Sequence, residues 1–134
     1  MTMTIDEAIR QIEGKAPGIT VRATVQYAQS QLPEDEKVFA AASATIRSHH
    51  GNFPGVIVFT DKRMLAVSGL PGIRRSITLP LRELLSCKSK KTPLAYNLKI
   101  ATKTDSFSAM LSPKPGENFA PYIYALERAV SKRY

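Results

Sequence analysis

Between Lys37 and Leu111 the apolar residues recur at alternate positions, whereas before and after that stretch they recur every third or fourth residue. A period of two belongs to strands with one face turned to a core, and a period near 3.6 belongs to helices. This switch constrains the chain more than any other feature. It predicts helices, then a run of short strands, then one closing helix, and it leaves no room for alternating β–α units of a parallel sheet.

At the start, Thr4-Ile5-Asp6-Glu7 has the form of a capping box, in which a threonine side chain and a glutamate three residues later satisfy each other's backbone amides. Ile5, Ala8, Ile9 and Ile12 follow on one helical face, and Gly14 and Pro17 end the element. Residues 19–32 are ambiguous. Ile19, Val21, Ala23, Val25 and Tyr27 alternate as a strand would, while Val21, Val25, Ala28 and Leu32 keep helical spacing. Length, and the stop at Pro33, favour a helix.

Val38, Ala40, Ala42, Ala44 and Ile46 then define one strand face, and the alanines allow another element to approach closely. His49–Gly55 reads as a loop from its Gly, Asn and Pro content. Val56–Thr60 and Met64–Ser68 read as two strands joined by a tight turn at Thr60-Asp61-Lys62-Arg63, with Asp61 and Arg63 holding that turn together. After a second turn at Leu70-Pro71-Gly72 come a short strand at Ser76–Leu79, a single helical turn near Leu81–Leu85, and a lysine-bearing strand at Ser86–Thr92. On that strand Leu85, Cys87 and Ser89 are expected on one side and the lysines on the other. Tyr96, Leu98 and Ile100, then Phe107, Ala109 and Leu111, mark the inner faces of the last two strands. Phe119, Ile123, Leu126 and Val130 form the stripe of a final helix, with Pro113–Gly116 as its approach, Asn118 as its expected N-cap, Pro121 in its first turn, and Lys132 and Arg133 at its negative end.

At 134 residues with 43% hydrophobic content, the chain has the size and composition of one domain with its own core. A single cysteine, Cys87, rules out an internal disulfide and fits a reducing compartment. No run of apolar residues reaches the length of a membrane span, and the acidic start lacks the order of a signal peptide, so a cytoplasmic location is expected, with membrane association as a variant of it.

Three stretches taken together, Glu34-Asp35-Glu36-Lys37-Val38, Gly55–Leu65 with its Thr60-Asp61-Lys62-Arg63 turn, and Ile77-Thr78-Leu79-Pro80-Leu81, resemble the bacterial pleckstrin-homology-like (PH-like) domains. The resemblance covers roughly residues 32–131 and divides the chain into an N-terminal helical extension, 1–32, and a PH-like domain, 33–134. It implies a mainly β fold with α elements: about seven antiparallel strands in two near-orthogonal sheets, capped by the C-terminal amphipathic helix. It implies no catalysis and no cofactor, and relatives that form oligomers through sheet edges make self-association an expectation here. Relatives that recognise phosphoinositides use basic residues around the loop between strands one and two. Here that loop is His49–Gly55, preceded by Arg47, and the following strand, Val56–Phe59, has no Lys or Arg.

The charge is unevenly placed. Residues 1–61 carry five basic and seven acidic residues, net −2, while residues 62–134 carry fourteen and four, net +10, for the overall +8. Arg74, Arg75, Arg82, Lys88, Lys90, Lys91, Lys99 and Lys103 face a single nearby acid, Glu83. From this band Arg74, Arg75, Lys88, Lys90 and Lys99 are the candidate residues for an anion or a partner, set against the plain reading that edge lysines keep strands from aggregating. The Leu70–Arg75 turn pairs apolar residues with arginines, as a segment dipping into a membrane interface does, although such residues also fold back on a core. His49-His50 has no carboxylate or thiol at ligand spacing, so no metal site is expected. Phosphate loops, nucleophile elbows and metal-ligand clusters are missing from the sequence, and the chain is read as non-enzymatic. A protein-interaction or self-assembly module is the leading reading. A peripheral binder of anionic lipid through a basic face is the alternative, and nucleic acid ranks below both because the basic region has no interleaved aromatics and no recognition helix.

Overall fold

The computed structural model describes residues 3–49, 51–70 and 72–132. Helices α1 (Ile5–Glu13) and α2 (Ile19–Ser30) come first. Seven strands follow: β1 (Val38–Ser48), β2 (Gly51–Thr60), β3 (Arg63–Leu70), β4 (Ile73–Pro80), β5 (Leu84–Lys91), β6 (Tyr96–Thr102) and β7 (Ser106–Leu111). A 3-10 turn, Leu81–Glu83, joins β4 to β5, and α3 (Pro113–Ser131) closes the chain. No helix among the described residues is long and apolar enough to cross a membrane.

Thr4 caps α1 as its sequence implies: the Glu7 amide donates to Thr4 Oγ1 at 3.1 Å and the Thr4 amide to Glu7 Oε1 at 3.4 Å. The ambiguous segment resolves as a helix, because its face of Val25 and Ala28 packs on the sheet.

All strand pairs are antiparallel, in the order β4-β3-β2-β1-β7-β6-β5. β1 belongs to both halves. It pairs with β2 along its length and with β7 only through Thr45, Ile46 and Arg47. The curled sheet has two apolar faces. Its inner face, including Ile46, Ile57, Leu79, Leu98 and Phe107, receives Phe119, Ile123, Leu126 and Val130 of α3. The outer face of β1–β3, from Ala41, Val56, Val58, Leu65 and Val67, is covered by Ile5, Ala8 and Ile9 of α1 and by α2. Burial on both faces is why Val56–Phe59 is continuously apolar rather than alternating.

Several expectations are corrected. The segment 51–55 is strand, not loop: Ser48 already pairs with Gly51, and Phe53 is buried in the inner core. Its proline is tolerated because Pro54 lies outside the stretch of β2 paired with β3, which begins at Val56. A register irregularity between Val38 and Ala40 moves Val38 out of the inner face, into the cluster with Ala41. A second one between Leu84 and Ser86 puts Leu84 in the core and leaves Leu85 46% exposed, so Leu85 does not share a face with buried Cys87. β4 extends to Ile73–Pro80, beyond Ser76–Leu79.

Helix α3 begins at Pro113, not after Asn118. Ser112 is its N-cap residue, and the prolines at 113 and 115 occupy a first turn whose amides have no helical acceptor. Pro121 therefore falls inside the helix. Gly116 is buried, and a Cβ there would overlap Cβ of Tyr96, so the missing side chain lets the helix descend on β6. Asn118 instead donates its side-chain amide to the Ile12 carbonyl at 2.8 Å, tying the end of α1 to α3. Arg133 lies outside the described residues.

Candidate functional site

Alternation along the strands decides which cations share a face. On β5, Cys87 is buried, so Lys88 and Lys90 point outward; on β6, Leu98 and Ile100 are buried, so Lys99 does. On β7, Ser108 lies between buried Phe107 and Ala109, and on β1, Arg47 follows buried Ile46. The registers then place Arg47 opposite Ser108, Ser108 opposite Lys99, and Lys99 opposite Lys88, one continuous row across four strands. The adjacent row is Thr45, Met110, Asn97 and Lys90. The eight side chains line a groove of about 440 Å³ on the outer face of β1, β7, β6 and β5.

Lys88 and Lys99 sit directly across from each other, an arrangement of like charges that costs a sheet stability. Among the described residues, none of Arg47, Lys88, Lys90 and Lys99 makes an ion pair. Lys91 differs: its ammonium reaches Glu117 on α3 at 2.6 Å, and that hydrogen bond, with the charge behind it, lowers the pKa of the Glu117 carboxyl.

The other candidates are placed elsewhere. Arg74 and Arg75 lie on β4, at the far end of the strand order, and do not join the row. The Arg74 guanidinium sits 5.4 Å from the Tyr27 ring centre and that of Arg75 5.9 Å from the Phe53 ring centre, so both stack on aromatic faces of this chain. The five cations of the sequence reading thus separate into a lysine set and an arginine pair. Pro71 and the side chains of Leu70 and Ile73 lie outside the described residues, as does His50. His49 Nδ1 is 4.0 Å from Asp105 Oδ1. Cys87 is buried, and desolvation, with Glu127 adding to it, pushes its thiol up to about 12, far from a reactive thiolate.

The Thr60–Arg63 turn is built as a support. Thr60 Oγ1 accepts the amides of Lys62 and Arg63 and donates to Glu36 Oε2 at 2.6 Å. Arg63 meets the same carboxylate with Nε at 2.8 Å and Nη2 at 3.0 Å. Asp61 accepts the Lys37 amide at 3.0 Å, and its own amide donates back to the Lys37 carbonyl. These polar groups are partnered with one another.

The row has one cation that lies outside the basic band of the sequence, Arg47. Its outward direction follows from Ile46, but its nearness to Lys99 depends on β1 pairing with β7, two segments some sixty positions apart.

No protein-family model matches the chain, and no curated protein sequence does. Solved structures do match its fold. The N-terminal PH domain of Vps36 superposes with a TM-score of 0.55 at 18% identity, covering 75% of this chain and 83% of that one. A DUF1696 family protein with a pleckstrin-homology domain, from Shewanella loihica PV-4, superposes with a TM-score of 0.52 at 14% identity, covering 82% of this chain and 99% of that one. The curled seven-stranded antiparallel sheet with its C-terminal helix is therefore a PH-like fold, here carrying two helices on the outer face of β1–β3.

Proposed function

We propose that this chain is a non-catalytic PH-like interaction module, with residues 1–32 as a helical extension on a domain of 33–134, and that it docks a protein partner on the outer face of β1, β7, β6 and β5. One observation carries the reading: α1 and α2 cover the outer face of β1–β3 and α3 covers the inner face, while the outer face of the other strands displays the Arg47–Ser108–Lys99–Lys88 row, whose cations make no ion pair among the described residues. Unpaired like charges held side by side on a sheet are a cost to folding that a ligand of opposite charge removes. Self-association draws no support from α1, whose Ile5, Ile9 and Ile12 stripe is buried within the chain.

The reading is tested by a photo-crosslinking amino acid placed at Ser108 in living cells, with Gln11 on the exposed side of α1 as the comparison site. Discrete protein adducts specific to position 108, lost when Lys88 and Lys99 are both changed to Glu, are expected. Adducts identical at positions 108 and 11 refute the docking face, and adducts of the chain's own mass assign it to a second copy.

A further inference from the structure

Resting on that reading of the face, we propose that its ligand is an extended, carboxylate-rich peptide segment lying across the strands, rather than a lone phosphate or a membrane.

The spacing of the cations argues for a string of charges. Neighbouring strands are about 4.8 Å apart, so Arg47 on β1 and Lys99 on β6 start about 10 Å apart, and Lys88 lies about 5 Å further on. Lys90, two residues along β5 from Lys88, is about 7 Å away in the perpendicular direction. A single phosphate is held by donors that converge on one point; Lys88 and Lys99 can share one anion, but Arg47, about 10 Å from Lys99, and Lys90, about 7 Å from Lys88, extend the array past it. An extended peptide advances about 3.3 Å per residue, so about five residues cover the row, and carboxylates on its alternate residues reach successive cations. One carboxylate between Lys88 and Lys99 accepts from both ammoniums and cancels their repulsion.

The floor between the cations suits a backbone. Ser108, Asn97 and Thr45 supply uncharged donors and acceptors for peptide groups, and Met110, 37% exposed, offers an apolar spot for one side chain. A bilayer contact has the reverse layout, with apolar groups projecting past the charges. Here the exposed residues of the groove are cationic or polar apart from Met110, which lies between Thr45 and Asn97.

The probe is a fluorescein-labelled Gly-Glu-Ser-Glu-Ser-Glu-Gly peptide titrated with the full chain and followed by fluorescence anisotropy. Saturable binding is expected at low salt, weakening by about tenfold or more between about 0.05 M and 0.5 M salt as screening shortens. The peptide with Gln for Glu fails to bind. Changing Lys88 and Lys99 together to Glu abolishes binding of the acidic peptide and creates binding to its Lys counterpart, while a melting curve confirms that the variant is folded. Changing Lys103 and Lys114, exposed cations that do not line this groove, leaves affinity within about twofold. Equal losses from both double variants mean diffuse attraction and overturn the inference. So does competition by inorganic phosphate at matched ionic strength, or binding to phosphatidylserine vesicles without binding to the peptide. Position-specific crosslinks at Ser108 with no binding of any acidic peptide overturn this inference and leave the docking face standing.

Discussion

Replacing Glu36 by Gln tests whether the β2–β3 turn is a structural anchor. The Glu36 side chain is 2% exposed and accepts three hydrogen bonds, two from Arg63 and one from Thr60. Glutamine keeps the shape and removes the charge, so the Arg63 guanidinium loses its counter-ion and meets an amide. Breaking a buried pair from one side typically costs about 3–5 kcal/mol. The Arg63 side chain is 22% exposed and turns partly to water, which lowers the expected cost to about 2–3 kcal/mol. With an unfolding entropy of about 2.1 cal/mol/K per residue, a chain of 134 residues loses about 7–11 °C in Tm. Differential scanning calorimetry at pH 7 measures it. Adding Arg63→Met recovers part of the loss, because no unpaired charge then remains. Burial by itself raises the Glu36 pKa, but the hydrogen bonds from Arg63 and Thr60 and the charges of Arg63 and Lys62 outweigh it and hold the carboxyl below its usual 4.5. A depressed carboxylate stabilises the fold above its unfolded pKa and loses that contribution as pH falls through its folded value. The gap between wild type and variant is therefore constant from pH 7 to about 5 and closes below about 4. A variant melting within about 1 °C of wild type at pH 7 refutes the anchoring role, since about 2 kcal/mol is the least the geometry allows.

Gly116→Ala should destabilise by about 1–3 kcal/mol although alanine is the better helix former, because the new methyl overlaps Tyr96 and forces α3 away from β6; a raised Tm would show that the close approach has slack. Leu126→Asp, placing a carboxylate among the buried residues of α3 and the inner face, should cost about 4 kcal/mol or more and expose the core to a hydrophobic dye, whereas a wild-type melting curve would mean α3 does not close the sheet.

Local signals were legible where their chemistry is local. The Thr4–Glu7 box, the Thr60–Arg63 turn and the Phe119–Val130 stripe each act within a few residues, and the structure has all three. The phase of alternation was lost at Val38 and Leu85, since one inserted residue shifts a period-two pattern without leaving a mark in composition. Gly51–Pro54 carries loop composition, yet it is strand because pairing with β1 and burial of Phe53 outweigh propensity. For the candidate face, outward lysines on β5 and β6 were readable from their buried neighbours. Arg47 was not, because the pairing that brings it there spans distant segments, and Arg74 and Arg75 look the same in sequence as the lysines although aromatic rings occupy them.

The narrow seam between β1 and β7 has a consequence for how the molecule is made. Strands β1 to β4 form one meander of neighbouring hairpins and β5 to β7 another, each from contacts close in sequence. Ile46 opposite Ala109 joins them through three residue pairs, and the chain between must be gathered first. Closing so long a loop for so few bonds is entropically costly, so the two meanders are expected to form before the seam. The inner-face residues of α3, which follow β7 in the chain, complete their burial when that seam closes. In hydrogen exchange, those amides of Thr45–Arg47 and Ser108–Met110 that bond across the seam are then expected to open before the amides inside either meander.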